Sequence, residues 1–348
     1  MNEYNQAARA DILQADAMLQ IIAGTRVARC VYIAAELGLA DLLTDGPKGS
    51  EELAKATGTH APSLYRVLRM LASAGVFAED EQGRFALTPL GATLQTDVPG
   101  SLRAWVTLQL GEEYDQVWGE ALHTVRTGEI AFDHSFGMGA WKYLAQHPEY
   151  AKIFDEAMAN LTGVFTAAVL ASYPFSVIDT VVDVGGGDGS LVVALLRAHP
   201  KMKGILFDLP QVTEKAKKRL AEAGVAERCA VVAGDAFAAV PGGGDTYILS
   251  RVIHDWDDDR AVVILKNCHR TMTEKGKLLL VEPVLPPRMT PSVAAQTAAM
   301  FDLTMLVLTG GRERTVAEHR ALLKAAGFEL VQVIPTQSAI SVIECARA

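Results

Sequence analysis

Val181-Val182-Asp183-Val184-Gly185-Gly186-Gly187-Asp188-Gly189-Ser190 is the stretch that decides the fold. It is an apolar strand that runs into a glycine-rich turn, and a helical pattern follows it. Glycines at 185, 187 and 189 let the main chain approach a bound ligand closely, and the helix start adds oriented N–H donors. A dinucleotide site has the spacing G-x-G-x-x-G, but counting from Gly185 its third glycine falls on Ser190. The turn therefore predicts a nucleotide-like ligand without a pyrophosphate.

Downstream of this turn the chain alternates between strand and helix patterns, which is typical of a parallel sheet with helices on both faces. The predicted strands cover residues 179–184, 203–208, 228–233, 245–250, 276–282, 328–334 and 338–345. The last two strands are joined by a short turn, so they must be antiparallel neighbours. We therefore predict an α/β fold with a Rossmann-like sheet.

Acidic residues follow the strands at the same edge of the sheet as the glycine turn. Asp208 ends the second strand about 20 residues after the glycines, where a carboxylate can accept both ribose hydroxyls. Gly234-Asp235-Ala236-Phe237 follows the third strand and offers a carboxylate for an adenine amino group and an aromatic face for stacking. Each acid alone would be interpreted as a solvated loop residue. Together, with Asp183 before a G-x-G-x-G turn, they favour S-adenosylmethionine.

The fourth strand leads into Ser250–Trp256, which reads SRVIHDW. A lone histidine is more often structural than catalytic, but an adjacent strand would point His254 at the reactive end of the cofactor. Its neighbour Asp255 projects roughly 100° away in a helical segment and is poorly placed to orient the imidazole. Another carboxylate is therefore required.

Two glutamates can supply that carboxylate. Glu282 ends the apolar fifth strand, so its side chain is either exposed at the strand tip or paired. Glu313 lies just before Thr315-Val316-Ala317-Glu318, a capping box that fixes where the next helix begins. The alternative for Glu313 is a surface charge between two arginines, and both interpretations stay open.

Three further acids, Asp257–Asp259, invite a metal interpretation. A helix capped by Asp257, with acids in its first turn, explains them better. The four cysteines lie far apart and form neither a CxxC pair nor a disulfide framework. No cluster of metal ligands is evident in the sequence, so we expect no metal.

The N-terminal part of the chain begins with a helix that is apolar all round. Between residues 8 and 43, apolar residues such as Leu19, Ile22 and Val27 fall on every side of a helical wheel. Such a helix has to be buried, and a small domain cannot bury it alone. We therefore predict that it packs against a second copy of the chain as a homodimer.

A winged helix is predicted next. Ser50 is expected to cap one helix, a second helix runs from near Pro62 to Gly75, and residues 76–87 form a hairpin. A winged helix can bind DNA through its second helix. Residues 1–100 hold 8 basic against 12 acidic residues, so dimerisation and packing are favoured over DNA binding.

The composition limits the class of protein. With 348 residues, 50% hydrophobic and 21% charged, the chain is globular and long enough for about two domains. A net charge of -9 disfavours nucleic acid, and early acids argue against a secretory signal. The uncharged stretch 157–178 is diluted by polar residues and is interpreted as a buried helix, not a membrane span. We expect a cytoplasmic protein divided into a dimerisation domain at 1–100, a helical linker and substrate-pocket segment at 101–178, and a cofactor-binding domain at 179–348.

Over essentially its whole length the chain resembles the plant-type, caffeic acid-like family of S-adenosylmethionine-dependent O-methyltransferases and its bacterial natural-product relatives. The matching stretches are Asp183–Gly189, Phe207-Asp-Leu-Pro210, Gly234–Phe237, His254-Asp-Trp256, Val281-Glu-Pro283 and Gly310-Gly-Arg-Glu-Arg-Thr315. The segments around Arg29–Tyr32 and Gly111–Tyr114 look most similar to bacterial enzymes that act on phenazines and other fused aromatic rings.

The resemblance implies a role for each matching residue. His254 would be the general base, supported by Glu282 and Glu313. The cofactor residues carried over by the motifs are Asp183, Gly185, Gly187, Asp208, Leu209, Gly234, Asp235, Ala236, Phe237, Ser250 and Arg251. Ser250 occupies a position that is lysine in many plant members. The family also dimerises through an N-terminal winged helix, which agrees with the apolar helix.

The sequence thus predicts methyl transfer from S-adenosylmethionine to a hydroxyl of a small aromatic molecule, with S-adenosylhomocysteine as product. The acceptor would contact Asp255 and a pocket of Phe154, Met158, Met300 and Met305, because methionines suit flat aromatic guests. Each pocket residue could equally belong to the core. The alternatives are an N-methyltransferase or altered-chemistry relative on the same scaffold, and a nicotinamide-dependent oxidoreductase.

Overall fold

The computed structural model of the protein describes residues 2–96, 98 and 100–348, with side chains from residue 14 onward. The chain divides into two compact units, Met1–Asp115 with Lys152–Asn160, and Gln116–Ala151 with Leu161–Ala348. All the predicted cofactor residues, and the predicted base with its two glutamates, belong to the second unit.

A seven-stranded sheet forms the centre of the second unit, in the order β11-β12-β8-β7-β4-β5-β6. Its strands are β4 (Thr180–Val184), β5 (Lys203–Asp208), β6 (Cys229–Ala233), β7 (Thr246–Ser250), β8 (Lys277–Glu282), β11 (Phe328–Pro335) and β12 (Ser341–Arg347). β12 pairs antiparallel with both β8 and β11, and the remaining pairs are parallel. The predicted parallel sheet and its antiparallel final pair are confirmed.

Helices pack on this sheet because its central strands are apolar on both faces. The helices that follow the cofactor turn are α11 (Ser190–Ala198), α12 (Pro210–Glu222), α13 (Asp258–Thr271), α14 (Val293–Leu308) and α15 (Val316–Ala325). Asp257 caps α13 by accepting from the Arg260 N–H, and the Thr315–Glu318 capping box begins α15, both as predicted. A short parallel pair, β9 (Val284–Leu285) and β10 (Arg314–Thr315), lies beside them. Because β9 follows Glu282 and β10 follows Glu313, this pair links the two predicted glutamates.

The first unit contains a small antiparallel sheet and a bundle of helices. Its elements are α1 (Asn2–Glu36), α2 (Leu39–Leu42), β1 (Lys48–Gly49), α3 (Ser50–Thr57), α4 (Ala61–Ser73), β2 (Phe77–Glu79), β3 (Arg84–Leu87) and α5 (Arg103–Leu110). Helix, helix and hairpin therefore form the predicted winged helix, and Phe77 and Phe85 are buried in its core. The predicted Ser50 cap is wrong. Gly49 is the N-cap and provides no side-chain bond, because Ser50 already belongs to the first turn of α3.

The predicted apolar helix is α1, and it is exposed in the isolated chain. Leu19 is 60% exposed and Ile22 is 50% exposed. The side chains of residues 8–13, where the predicted apolar stretch begins, lie outside the described residues. The described part agrees with a helix whose burial requires another surface, because a single chain leaves it uncovered.

Helices between the two ends of the chain complete the fold. They are α6 (Glu112–Gly119), α7 (Ala121–Thr127), α8 (Ala131–Phe136), α9 (Ala140–Gln146) and α10 (Pro148–Ser172). By length and composition alone, α10 and the Gln14–Glu36 part of α1 would be long and apolar enough to cross a membrane. The prediction of a buried helix at 157–178 is only partly right, because Leu161 and Val169 are buried whereas Val164 is 40% exposed.

Candidate active site

The glycine turn after β4 is held by backbone conformations that favour glycine. Gly185, Gly187 and Gly189 have φ values of 71°, 58° and 83°, which side chains rarely adopt. A Cβ at Gly185 would lie 2.7 Å from Val252, and one at Gly186 would lie 2.9 Å from the Asp183 carboxyl. Both positions therefore exclude side chains. The Gly185 N–H donates to the Phe207 carbonyl and the Gly187 N–H to Asp208, so the turn is fixed against the end of β5.

Asp183 lies buried beneath this turn. One of its carboxylate oxygens has no hydrogen-bond partner among the described residues, although the side chain is almost fully buried. Burial, together with the charges of Asp208 and Asp188, raises the pKa of Asp183 to about 7. An unpaired buried polar atom is unfavourable unless a ligand or water satisfies it, so this oxygen indicates an incomplete site.

Asp208 joins the glycine turn to the end of β5. Its Oδ2 accepts from the Gly187 N–H at 2.8 Å, and its Oδ1 accepts from the Leu209 N–H at 2.6 Å. Burial raises the pKa of Asp208, while these two backbone bonds oppose the shift. Each oxygen still has accepting capacity, so the carboxylate is fixed in place and able to accept ribose hydroxyls.

The segment after β6 is held by an internal turn and by α13. The Phe237 N–H donates to Asp235 Oδ1 at 2.9 Å, and Asn267 Nδ2 donates to the carbonyls of Ala236 and Phe237 at 2.7 and 2.9 Å. Asp235 is exposed, and the Phe237 ring meets Trp256 edge-on. The Arg260 guanidinium lies over both rings, 4.8 Å from the Phe237 centroid and 4.2 Å from that of Trp256. Phe237 is thus a rigid face at this edge of the sheet.

His254 lies in a 3-10 turn, Ile253–Asp255, just beyond β7. Its Nδ1 is 2.7 Å from Glu313 Oε1, and both residues are buried. This contact decides between the two interpretations of Glu313, because the residue is 1% exposed and is not a surface charge. Glu313 and His254 are 59 residues apart, so the pair exists only in the folded chain.

Glu282 approaches the same histidine from the end of β8. Its Oε1 accepts the N–H groups of Val252 and Ile253 at 3.1 and 2.9 Å, which fixes the turn that carries His254. Its Oε2 lies 3.8 Å from His254 Nδ1 and makes no hydrogen bond within the described part of the chain. Glu282 is therefore paired rather than exposed, and it supports the histidine through charge and through the backbone.

Asp255 lies closer to the imidazole than the sequence predicted. Its Oδ1 is 3.6 Å from His254 Nε2, on the side of the ring opposite Glu313. The expectation of a poorly placed side chain considered only the backbone angle between neighbours, which is about 100° in an α-helix and about 120° in a 3-10 turn. It left out the side-chain torsions, which bring the two groups together. Asp255 does not hydrogen-bond the ring, but its charge acts on it.

Burial and neighbouring charges set the protonation of this cluster. Burial disfavours a charged imidazole, but Glu313, Glu282 and Asp255 outweigh it and raise the pKa of His254 to about 10. Burial raises the pKa of Glu282 to about 7 and that of Asp255 to about 6, and His254 opposes both shifts. The cluster therefore stabilises an imidazolium, which is the form His254 takes once it has accepted a proton.

The segment 311–314 clamps the turn that carries His254. A side chain at Gly311 would collide with the His254 carbonyl oxygen, and the Arg312 N–H donates to that oxygen at 2.8 Å. Buried Arg314 donates to the carbonyls of Ile253 and Trp256 at 3.2 and 2.9 Å. It also binds Asp258, with Nε at 2.9 Å and Nη2 at 2.8 Å from one carboxylate oxygen.

Sequence reasoning singled out this motif but missed the positioning roles of Gly311 and Arg314. It also missed Asp302 on α14, whose Oδ1 accepts from the Glu313 N–H at 2.9 Å. The only signal in the sequence was the Gly-Gly-Arg-Glu-Arg motif. It indicates close packing of the backbone, but it does not identify the residues that the backbone contacts. Only the fold reveals the contacts.

Ser250 and Arg251 lie where β7 ends. Arg251 has φ 55° and is the one non-glycine residue with positive φ in the described part of the chain. This conformation costs about 1–3 kcal/mol for a residue with a Cβ, so the surrounding structure has to enforce it. The Arg251 N–H donates to the Val281 carbonyl, and its guanidinium binds Thr162 Oγ1 at 2.5 Å. The strain lies directly between β7 and His254.

The predicted acceptor residues occupy two helices. Met305 is buried and Met300 is 42% exposed on α14, whereas Phe154 and Met158 are half-buried on α10, within the first compact unit. Their assembly into one pocket stays a prediction. Leu209, which the motif match assigned to the cofactor, is 39% exposed.

No cluster of metal ligands was evident in the sequence, but the fold brings two groups of possible ligands together. Two groups have ligand atoms within 4.8 Å of one another: His254, Glu282 and Glu313, and separately His123, Glu129 and His134. The sequence could not show them, because each group is assembled from different elements. In the buried group Glu313 Oε1 is already bound to His254, and Glu282 Oε1 accepts two N–H groups.

The residues at the carboxyl edge of the sheet fit S-adenosylmethionine. The glycine turn excludes side chains, the unpaired Asp183 oxygen lies beneath it, and hydrogen bonds hold Asp208 and the Phe237 backbone in place. A Rossmann-like sheet with a buried histidine and glutamates beside such a cradle defines a methyltransferase.

The comparisons identify its family. An O-methyltransferase domain profile matches residues 118–329, and an O-methyltransferase dimerisation domain profile matches residues 19–97. The chain belongs to the O-methyltransferase family.

Relatives with assigned activities cover nearly the whole chain. A phenazine O-methyltransferase of Lysobacter antibioticus is 48% identical over 99% of each chain. A phenazine-1-carboxylate N-methyltransferase of Pseudomonas aeruginosa is 32% identical over 100% of each chain. A solved O-methyltransferase from neocarzinostatin biosynthesis, in complex with S-adenosylmethionine and 2-hydroxy-5-methyl naphthoic acid, superposes with a TM-score of 0.77 at 34% identity, covering 92% of this chain and 96% of that one.

Proposed function

We propose that this enzyme transfers a methyl group from S-adenosylmethionine to a hydroxyl of a small polyaromatic molecule, with His254 as the general base. The observation that carries the proposal is the 2.7 Å contact between His254 Nδ1 and Glu313 Oε1 in a buried cluster beside the cofactor cradle. A glutamate in this position holds the ring in one tautomer and compensates the charge that the ring acquires.

The hydrogen bond decides which nitrogen takes the proton. In the unprotonated form of the ring, Nδ1–H donates to Glu313 and the Nε2 lone pair accepts the hydroxyl proton of the acceptor. A phenol of pKa near 10 is about three units from ionised at pH 7, which corresponds to roughly 4 kcal/mol, and a positioned base typically contributes about 10²–10⁴ in rate. His254 would act as this base, and Glu313, Glu282 and Asp255 would stabilise the imidazolium that forms when it accepts the proton.

The cofactor would be held by the edge of the sheet. Asp208 would bind the ribose, Asp235 and Phe237 the adenine, and the glycine turn with Asp183, Gly234, Ala236, Leu209, Ser250 and Arg251 would complete the site. Bound S-adenosylmethionine supplies an electrophilic methyl group on a positively charged sulfur. His254 and its carboxylates need only generate the oxyanion, so the proposed reaction requires no metal.

The acceptor class is supported by what the relatives bind. Phenazine and hydroxynaphthoate are flat fused-ring molecules, and methionine side chains accommodate such surfaces. We assign Met300 and Met305 on α14, Phe154 and Met158 on α10, and Asp255 to the acceptor pocket. The cytoplasm, where such small molecules and the cofactor are available, is the proposed location.

The enzyme would act as a homodimer through its N-terminal domain. The match to a dimerisation domain and the exposed apolar side chains of α1 support this assembly. The net charge of -9 argues against nucleic acid as a partner.

An N-methyltransferase is the second candidate, because a relative that covers the whole chain methylates a phenazine on nitrogen. The two functions differ in their need for a base. A ring nitrogen already carries a lone pair, whereas a hydroxyl must lose its proton. Retention of His254 with both buried glutamates favours the hydroxyl.

The test is mass spectrometry of purified protein incubated with methyl-labelled S-adenosylmethionine and a panel of phenols, hydroxylated phenazines and polycyclic quinones. Label on oxygen that is lost in His254→Ala, with cofactor binding intact, is the expected result. Label on nitrogen that persists in His254→Ala establishes the alternative. A failure to bind the cofactor overturns both.

A further inference from the structure

A second cluster of ionisable side chains lies on the surface of the second unit, and it includes none of the predicted site residues. We call it the α7–α8 cluster, and it consists of His123 on α7, His134 on α8 and Glu129 in the loop between them. His123 Nε2 lies 2.8 Å from Glu129 Oε2. The two imidazole rings are stacked, with centroids 3.8 Å apart and planes 15° from parallel.

We propose that the α7–α8 cluster is a binding site for a divalent transition-metal ion of the zinc class. Two imidazoles and a carboxylate are the ligand set that such ions prefer. The three ligand atoms lie within 4.8 Å of one another. Around a tetrahedral zinc ion, ligand atoms at about 2.0–2.1 Å would stand roughly 3.3 Å apart, so small side-chain rotations are sufficient.

A fourth ligand is within reach. Glu120 Oε2 lies 3.7 Å from His134 Nε2, and its side chain is 44% exposed. Glu120 immediately precedes α7 and faces the cluster together with Glu129. Two glutamates and two histidines would complete a tetrahedral site. Alternatively, Glu120 would hydrogen-bond His134 and orient its ring while water takes the fourth position.

The loop between the helices holds Glu129 in place without a metal. The Glu129 N–H donates to Thr127 Oγ1 at 3.1 Å, and the Thr127 hydroxyl donates to the His123 carbonyl at 2.9 Å. Gly128 ends α7 with φ 77°, so the chain reverses there with little strain. The ligands are thus partly preorganised, and the side chains are exposed enough for an ion to enter.

The cluster also lies one residue from a contact with the Glu313 segment. Ile130 packs against Gly310, where a Cβ would come within 2.8 Å of it. An ion that crosslinks α7 to α8 would therefore stabilise the hairpin that supports the start of the Gly310–Glu313 segment. Because an ion that binds only the native state adds to its stability, we expect a rise in melting temperature with zinc.

The experiment is a zinc titration by isothermal calorimetry of full-length, tag-free protein stripped with a chelator. Wild type should bind one equivalent of Zn²⁺ at this site, and His134→Ala and Glu129→Gln should each weaken that affinity by at least about tenfold. Both replaced side chains are exposed, so the variants should fold, and circular dichroism verifies this. His60→Ala, which removes an exposed histidine of the first unit, is the matched control and should bind zinc as wild type does.

Co²⁺ in place of zinc gives a second readout, because its visible absorption reports tetrahedral nitrogen and oxygen ligands. These bands should appear in wild type and His60→Ala and disappear in the double variant His123→Ala/His134→Ala. Absence of zinc binding by wild type overturns the proposal. Equal affinity in His134→Ala and wild type also overturns it, because the ion then binds at the His254 cluster or at a thiol.

Discussion

The backbone of Gly311 lies directly against the carbonyl oxygen of His254, so closely that a side chain at position 311 would occupy the same space. The next N–H, that of Arg312, donates to this oxygen at 2.8 Å. Residues 311–312 therefore fix the backbone of His254, the proposed base, and the next residue, Glu313, contacts its imidazole.

Gly311→Ala should displace the His254 turn and reduce kcat by roughly 10²-fold, because a misplacement of about 1 Å costs that much in an oriented reaction. The measurement is steady-state kinetics with the acceptor identified by the labelling assay. Gly119→Ala is the control, since a Cβ there meets no atom within 4 Å. An unchanged kcat in Gly311→Ala would show that the turn tolerates the displacement.

Glu313→Gln should shift the pH dependence of the rate. Three carboxylates raise the pKa of His254 to about 10, so unprotonated base becomes available only as the pH rises. Loss of one negative charge lowers this pKa, so the rising limb of kcat should move to lower pH. The maximal rate should nevertheless fall by about 10²-fold or more, because the imidazolium loses its partner. The pH profile and the NMR titration of His254 test this, with exposed Glu329→Gln expected to behave as wild type.

Arg314→Lys should weaken the support of His254 more than Arg312→Lys does. Arg314 is 1% exposed and binds two carbonyls and Asp258 with its planar guanidinium, which an ammonium group cannot reproduce. We expect a lower melting temperature and a kcat loss of at least about tenfold, because a buried paired charge is left with poor geometry. The Arg312 side chain is 46% exposed, so its replacement should be nearly neutral in both assays.

His319 should make stability depend on pH. Burial, with the charge of Arg314, lowers the pKa of His319 to about 4, and neither ring nitrogen has a hydrogen-bond partner among the described residues. Between about pH 6.5 and 4, His319 is protonated in the unfolded chain but neutral in the native state. The free energy of unfolding therefore decreases as the pH falls through this range. The full loss in the free energy of unfolding is of the order of 3 kcal/mol.

The matched measurement compares denaturant unfolding of wild type and His319→Leu at each pH, because Asp183, Asp255 and Glu282 also titrate in the native state. Their pKa values are raised by burial, so their contribution to stability falls as pH rises. The difference between the two proteins isolates His319 and should change in favour of the variant as the pH is lowered from 6.5 to 4. A difference that stays constant over this pH range would contradict the assignment.

Ile21→Glu should convert the proposed dimer into monomers. Ile21 is 71% exposed in the isolated chain, and a charge there cannot be buried against another subunit without a large penalty. Sedimentation velocity checks the mass. Val331→Glu, on β11 and 55% exposed, introduces the same charge elsewhere and should leave the oligomeric state unchanged.

The sheet could be predicted because its strands are short apolar runs bounded by turns, and because the G-x-G-x-G spacing fixes where the first strand ends. The ends of β5 and β8 were likewise marked by Asp208 and Glu282. The residues alone offered Glu313 as a partner of His254 but left the pairing open, and resemblance to a family favoured it. The local sequence pattern cannot predict the distance between residues on different elements. It was therefore also compatible with Glu313 as a surface charge.

Predictions that depended on local geometry were the ones that failed. Asp255 was expected to point away from the ring because only the backbone angle between neighbours was considered, but its carboxylate lies 3.6 Å from Nε2. Ser50 was expected to be a cap because of its residue type, but the helix already includes Ser50 and Gly49 is the N-cap. The α7–α8 cluster was missed because nothing in the spacing of His123 and His134 reveals that their rings stack.

The hydrogen bond from the Glu313 N–H to Asp302 connects α14 to the His254 cluster. The helix proposed to shape the acceptor pocket through Met300 and Met305 also anchors the backbone of the glutamate that orients the base. A change in α14 that alters the acceptor preference would therefore also affect the basicity of His254. An attempt to retarget this enzyme by exchanging α14 with that of a relative would have to preserve position 302, or the new pocket would come with a weakened catalyst.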